Sequence, residues 1–238
     1  MASATPARAA MAPDAVLCLD APPGMPRASA TTLYFFKNGQ FACWDVVEER
    51  MLEGYPRDIA AHWPGLLEAF PGSRLRGALH VPEWGSKIYF FFEGQRQAVS
   101  WDLQRHAVDA ARVEIANLLP SALTTEDFTP VYAQLAGVGS VIYAFRGFDH
   151  TRWTVSASIP AAEDSGFPKR IDLAWKDGLV LAPRAGVYVD WPNRSAAHSN
   201  RKIYFFMGDL YLRWDVPSNT RNYRLDVLAG WKGWPAFA

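Results

Sequence analysis

The sequence predicts an all-β fold: four small antiparallel sheets packed radially about one axis as a four-bladed β-propeller, with a short helix ending each blade. Three observations predict it. An aromatic run recurs four times, as Tyr34-Phe35-Phe36, Tyr89-Phe90-Phe91, Tyr143-Ala144-Phe145 and Tyr204-Phe205-Phe206. Each run is followed by a glycine (Gly39, Gly94, Gly147, Gly208) and then by a tryptophan (Trp44, Trp101, Trp153, Trp214). Downstream, three columns keep a step of 56 residues: Gly54, Ala110, Gly166 and Asn222; Ile59, Ile115, Ile171 and Val227; Trp63, Leu119, Trp175 and Trp231. Four such steps nearly fill the 238-residue chain, and a sustained period of this length is the signature of a repeat architecture.

The elements of one repeat follow in order. A short strand comes first: Asp14-Ala15-Val16-Leu17, Arg76-Gly77-Ala78-Leu79, Tyr132-Ala133-Gln134-Leu135 and Arg184-Ala185-Gly186-Val187. The second position of each is Ala or Gly, so these strands are expected to line the axis, where backbones approach closely. A hairpin follows, from Leu33 to Phe36, through Lys37-Asn38-Gly39, to Gln40 through Val46. Repeat four matches it with Ile203 to Phe206, Met207-Gly208-Asp209 and Leu210 to Val216. Repeat two has two more residues between Tyr89 and Trp101, which predicts a bulge or a longer turn; an even insertion keeps the same strand face inward. A helix closes the repeat. Gly54-Tyr55-Pro56 and Gly166-Phe167-Pro168 precede it, with the proline expected at the first helical position. Ile59 and Trp63 then share one helix face.

The expected organisation is a flexible lead over residues 1–13 and one propeller over 14–238, with blades at about 14–68, 74–123, 130–181 and 182–238. The aromatic tail, Trp231, Trp234 and Phe237, is expected to seal blade four to blade one. Cys18 and Cys43 fall on strands separated by one other strand, too far apart for a disulfide, so both are expected as free thiols.

Composition excludes several functions. Lys plus Arg and Asp plus Glu are 24 each, a formal net charge of zero, without the basic excess that phosphate contacts require. Nucleic acid is therefore not an expected partner. No apolar run approaches the ~18 residues of a membrane span, and no signal peptide is evident, so a cytoplasmic location is favoured and a membrane is not an expected partner. Neither a nucleophile elbow, a phosphate-binding loop, a dinucleotide fingerprint nor a zinc-protease motif is present, and the protein is expected not to be an enzyme. The five histidines lack metal-ligand spacing, so no side-chain metal site is expected. The aspartates after the hairpin tryptophans, Asp45, Asp102 and Asp215, recur with the repeat and read as structural, bonding amides of the next blade.

The small-residue strand, the Tyr-Phe-Phe-x-Gly hairpin, the Trp-Asp pair and the Gly-Tyr-Pro helix closed by Trp resemble the repeat of the hemopexin-like domain family. The resemblance runs over about residues 14–238 and is weakest in the helix of repeat two. It is closest to single-domain members. It implies a four-bladed propeller that binds a ligand without catalysis. The family's ligands include haem, polyamines, sugars, proteins and channel ions.

The resemblance also implies a channel in which backbone carbonyls hold an ion. The first carbonyl ring would be Asp14, Arg76, Tyr132 and Arg184, and the second Val16, Ala78, Gln134 and Gly186. Carbonyl oxygens suit Ca²⁺ or Na⁺. Two arginines where the family has Asp raise the potential instead, and Arg76 and Arg184, from opposite blades, could hold an anion at the mouth. The alternative is that each pairs with an acid. His80, at the end of an inner strand, is the best-placed haem candidate; no cofactor is required. Trp84 and Trp191 lie in loops of blades two and four, where exposed rings would stack on carbohydrate or anchor a protein. Two functional readings result: a carrier of a small ligand or ion at the channel mouth, or a lectin-like or protein-interaction module using the loop aromatics.

Overall fold

A computed structural model describes residues 11–20, 31–125, 127–156, 162–175, 178–191 and 200–237. It contains four antiparallel sheets. Blade one is built on Ala15–Asp20, Thr31–Lys37 and Gln40–Asp45, and two short strands, Arg50–Met51 and Arg57–Asp58, both pair with the third. Blade two is built on Leu75–His80, Lys87–Phe92 and Gln97–Asp102. Blade three has Thr129–Leu135, Gly139–Arg146, Asp149–Thr154 and Lys169–Arg170, and blade four Ala185–Asp190, Arg201–Met207, Leu210–Asp215 and Thr220–Asp226. Each inner strand touches those of the blades before and after it, and blade four meets blade one. The expected propeller is therefore present.

The hairpins keep one register. Leu33, Ile88, Ile142 and Ile203 pair with Trp44, Trp101, Trp153 and Trp214. In blade one the turn is Asn38-Gly39, both at positive φ (49° and 77°), a pairing whose twist matches that of the strands it joins. In blade two the two added residues lengthen the turn between Phe92 and Gln97 and leave the register of Trp101 intact.

Each helix is a single turn: Ile59–His62, Ile115–Leu118, Ile171–Ala174 and Val227–Gly230. Its first residue donates its N–H to the hairpin turn of its own blade, at Gly39, Arg96, Phe148 and Asp209. The prolines do not open the helices. Pro56 and Pro168 precede the short strands Arg57–Asp58 and Lys169–Arg170, and the helix starts only at the following isoleucine. Pairing with the third strand uses the residues that a proline-led helix would have consumed.

The core lies between blades. Trp63 of blade one packs on Phe90 and Trp101 of blade two, with centroids at 5.6 and 5.0 Å. Trp175 meets Phe205 and Trp214 of blade four at 5.2 and 5.1 Å. Trp231 meets Phe35 and Trp44 of blade one at 5.2 and 4.8 Å. At the remaining seam Leu119 replaces Trp and Ala144 replaces Phe, and Phe128 is buried there against Phe91. The tightest approach is at the axis. A Cβ on Gly77 would lie 2.6 Å from Pro130 Cδ, and one on Gly186 2.6 Å from Val131 Cγ2.

The aspartates after tryptophan are structural, as expected, but act locally. Asp45 Oδ1 accepts from the amides of Val47 and Glu48, and Asp102 Oδ1 from those of Gln104 and Arg105. These two cap the turn that follows, which presents two amides within three residues, while Asp215 pairs with Lys202 and accepts from Ser218 Oγ within its own blade. Cys18 and Cys43 lie on the first and third strands of blade one, separated by the second. Burial pushes the Cys43 thiol up to about 12.

The seam between blades four and one is closed by both ends of the described chain. Trp234 packs against Phe35 and Phe206 at 4.8 and 6.3 Å. Within the segment expected as a lead, Met11 and Ala12 donate their amides to Asp209 Oδ1 and the Gly208 carbonyl, at 2.9 and 2.6 Å; residues 1–10 lie outside the described residues. Trp234→Ala should lower stability by about 2–3 kcal/mol, while Phe148→Ala, at a side chain 59% exposed, should change it little. Equal denaturant midpoints for wild type and Trp234→Ala would show that the tail seals nothing.

Candidate ligand-binding sites

Three sites follow from this frame: the two mouths of the central channel and a cleft between blades three and four. From the level of Val16, Ala78, Pro130 and Gly186 towards one mouth the channel is narrow, with a space of about 40 Å³. Strand register shows which residues share a level. Ala15, Gly77, Thr129 and Ala185 all pair with the third residue of the aromatic run. The level before it is Asp14, Arg76, Phe128 and Arg184. Tyr132 and Gln134 are therefore not ring members; blade three's inner strand enters four residues earlier than expected. The small residue anticipated at Ala133 is Thr129, whose hydroxyl donates to the Pro183 carbonyl at 2.7 Å. Pro130 takes the place expected for Gln134.

Tyr132 instead stands at the far mouth, level with Cys18, His80 and Tyr188. Its ring meets Tyr188 edge-on at 6.3 Å. Its hydroxyl bonds Ser140 at 2.9 Å and donates to Glu83 Oε1 at 3.2 Å, and Gln134 Nε2 donates to it at 3.1 Å. Glu83 belongs to the turn Pro82–Trp84 of blade two, so this network clasps blades two and three. His80, the haem candidate, lines the channel in this tyrosine-rich ring.

The near mouth is a ring of ion pairs. Arg184 donates to Asp14 at 2.8 Å and to Glu93 at 3.3 Å, while Arg76 lies 3.8 Å from Asp127. The two guanidiniums therefore do not form an open anion clamp; each has an acid partner, as the alternative reading held. The acids were hidden because Glu93 sits in the lengthened turn of blade two and Asp127 in the linker before blade three. Burial opposes the charge on Arg184, yet its bonds to Asp14 and Glu93 hold its pKa above the ordinary value. Arg76, also desolvated, is lowered despite Asp127. Asp14 is only 4% exposed and also accepts from the Asn38 amide at 3.1 Å. Breaking a buried pair leaves a charge uncompensated. Asp14→Ala should therefore cost about 3 kcal/mol, lowering Tm by roughly 6–12 °C. A fall below about 2 °C in calorimetry would show that this mouth is not held by the pair.

The loop tryptophans are not exposed platforms. Trp191 is buried against Tyr204 at 6.2 Å. Trp84 is half-buried on Tyr89 and donates its Nε1 to the Ser156 carbonyl of blade three at 3.0 Å. Both rings fold back because each finds an aromatic of its own blade's second strand. The loop 192–199 lies outside the described residues.

The cleft between blades three and four went unseen in the sequence. It has a volume of about 390 Å³, and Tyr143, His150, Arg152, Phe167, Lys169, Trp175, Val138, Val216 and Asn219 line it among others. His150 is 2% exposed and stacks on Phe145 at 5.7 Å. Its Nδ1 is 3.0 Å from the Lys169 carbonyl; a carbonyl only accepts, so Nδ1 donates and Nε2 carries the lone pair. Burial lowers its pKa to about 4. The unfolded chain takes up this proton first as pH falls, so the stability present above about pH 6.5 is lost progressively towards pH 4. Urea midpoints at pH 7.5, 5.5 and 4.5 should show a fall that His150→Gln largely removes, by roughly 1–3 kcal/mol at the acid end. Parallel pH profiles for the two proteins would rule out His150 as the source.

Among the described residues no group of three or more His, Cys, Asp or Glu side chains is placed to hold a metal ion, and no helix is long and apolar enough to cross a membrane.

Residues 29–66 match the Hemopexin family model. A hemopexin fold protein, CP4, from cow pea superposes with a TM-score of 0.64 at 16% identity, covering 92% of this chain and 96% of that one. The protein has the hemopexin fold. Other hemopexin-fold matches include LS24, a seed albumin from Lathyrus sativus, with TM-score 0.64, 15% identity and 93% and 95% coverage. A plant lectin with two metal binding sites from Cicer arietinum has TM-score 0.63, 13% identity and 92% and 94% coverage. A plant albumin from Cicer arietinum showing hemagglutination has the same TM-score at 14% identity, with 92% and 94% coverage. Comparison with curated proteins found no match. At these identities the similarity to solved structures speaks for the hemopexin fold and not for a shared ligand.

Proposed function

We propose that this hemopexin-fold protein is a non-catalytic, lectin-like binding module that takes a saccharide ring in the cleft between blades three and four. The observation that carries the reading is the lining of that cleft. Half-buried Phe167 with Val216 and Pro217 offers apolar surface, backed by the buried Trp175 and Tyr143, while Asn219, Arg152 and Lys169 offer donors, and about 390 Å³ accommodates a small ligand. The lining histidine is held in place by its Nδ1 bond to the Lys169 carbonyl. The hemagglutinating albumin and the lectin of the same fold are in keeping with this reading. The channel supports a ligand less well: towards the far mouth the space is about 40 Å³, and at the near mouth, where about 340 Å³ lies between Asp14, Lys37, Arg74 and Arg184, the Arg184 guanidinium is already paired with Asp14 and Glu93.

A glycan array probed with the full chain should show bound saccharides, with titration of the best hit giving a 1:1 complex. Val138→Trp, at a rim residue 46% exposed, should block that binding, and Trp84→Ala should leave it intact. An array without hits, or loss of binding on Trp84→Ala alone, would overturn the reading.

A further inference from the structure

We infer that the cleft between blades three and four selects ring compounds that carry a carboxylate, with Lys169 as the group that reads the charge. This rests on the proposed binding function and names the class of ligand within it. The argument starts from the balance of charges around the cleft. Among the described residues two cations line it, Arg152 and Lys169, and no carboxylate does. Arg152 is already committed: its Nε donates to Asp164 Oδ2 at 2.5 Å, and its guanidinium lies over the Phe167 ring at 5.0 Å. Lys169 has no carboxylate partner among the described residues; its Nζ lies 4.5 Å from the centre of the same Phe167 ring. An ammonium on an aromatic face is only partly compensated, and an anion completes its shell with a charge-assisted bond.

The hydrogen-bonding groups point the same way. Asn219 accepts from Trp214 Nε1 through its Oδ1 at 3.3 Å, which leaves its amide N–H₂ to donate. His150 supplies a single acceptor, Nε2. The lining is therefore rich in donors and poor in acceptors, the complement of a carboxylate rather than of a neutral polyol or a polyamine. The position of Lys169 is fixed from below, because its carbonyl accepts from His150 Nδ1 and its strand pairs with Asp149–Thr154. Beside this polar end, Phe167, Val216 and Pro217 form the accessible apolar wall, with Trp175 buried behind them, and a ring would lie on it. A sugar acid and an aromatic acid share the chemistry required: one flat apolar face and one carboxylate.

The test uses the full chain and four probes in two matched pairs, D-glucuronate with D-glucose and phenylacetate with 2-phenylethanol, titrated calorimetrically in about 50 mM salt, where a charge is weakly screened. Each acid should bind at least tenfold more tightly than its neutral partner. Lys169→Gln should cut acid affinity about tenfold and erase the preference, and Lys169→Glu should invert it. Lys169 is exposed, and a far-ultraviolet spectrum and melting curve matching wild type establish that these variants fold. Arg74→Gln, 60% exposed at the near channel mouth, should change nothing. Glucose binding as well as glucuronate, with both blocked by Val138→Trp, would overturn the charge selection and leave the saccharide reading standing. Binding of phenylacetate without either sugar would support the charge selection and overturn the saccharide reading. An acid preference that survives Lys169→Gln, or falls with Arg74→Gln instead, would overturn the assignment, as would no binding of any probe.

Discussion

Each blade has an aromatic face that it cannot bury by itself, and the ring exists because the neighbouring blade buries it. The contact that does most of this is one side chain per blade, the residue at the end of the helix turn. At three seams it is Trp63, Trp175 or Trp231, which meets both the central aromatic and the hairpin tryptophan of the next sheet. Full burial of a side chain this large removes from water an area whose return would cost a few kcal/mol. The helix is only four residues long, too short to be stable alone. It persists because its first amide is held by the hairpin turn and its last residue is held between sheets. Hairpin, helix and seam thus support one another, and the 56-residue step records that dependence.

The second seam shows how the constraint tolerates change. Leu119 and Ala144 are both smaller than their counterparts, so one loss of volume accompanies the other, and Phe128 from the linker is buried nearby. Volume has been redistributed between neighbouring positions, as close-packed interiors require. The polar clasp of Glu83 on Tyr132 and Ser140 sits across the same seam, so the pair of blades with the least aromatic overlap also has a side-chain network joining its rims.

Much of the fold was legible because side-chain periodicity survives in the sequence: the hairpin columns and the helix columns are core positions with no freedom to drift. The inner strand of blade three was misplaced by four residues for a physical reason. Ala133 resembles the small residue that crowding at the axis demands, whereas Thr129 meets the same demand with a hydroxyl bonded across to Pro183. A proline beside it at Pro130 argues against a strand until one sees that it packs on Gly77, where no side chain competes. The sites were less legible. Glu93 and Asp127 reach the channel mouth from a turn and a linker outside the repeat columns. The cleft draws its walls from two blades, so no local stretch of sequence announces it. What could have been read is the departure of His150 from the column of Phe41 and Tyr211, a polar ring at an otherwise apolar core position.

The seam between blades four and one differs from the other three in its timing. Phe35 and Trp44 of blade one pack against Trp231, and Phe35 also against Trp234. More than 180 residues separate the two sides of that contact in the chain. During synthesis blades one to three can stack in order as they leave the ribosome, but the outer face of blade one stays open until the tail has emerged. A nascent propeller therefore carries an exposed aromatic surface for most of its translation, a stretch in which a chaperone or a sister chain could occupy it. Ring closure is then the last packing step, and slower translation between blade one and Trp231 would lengthen the interval in which the protein is prone to associate with itself.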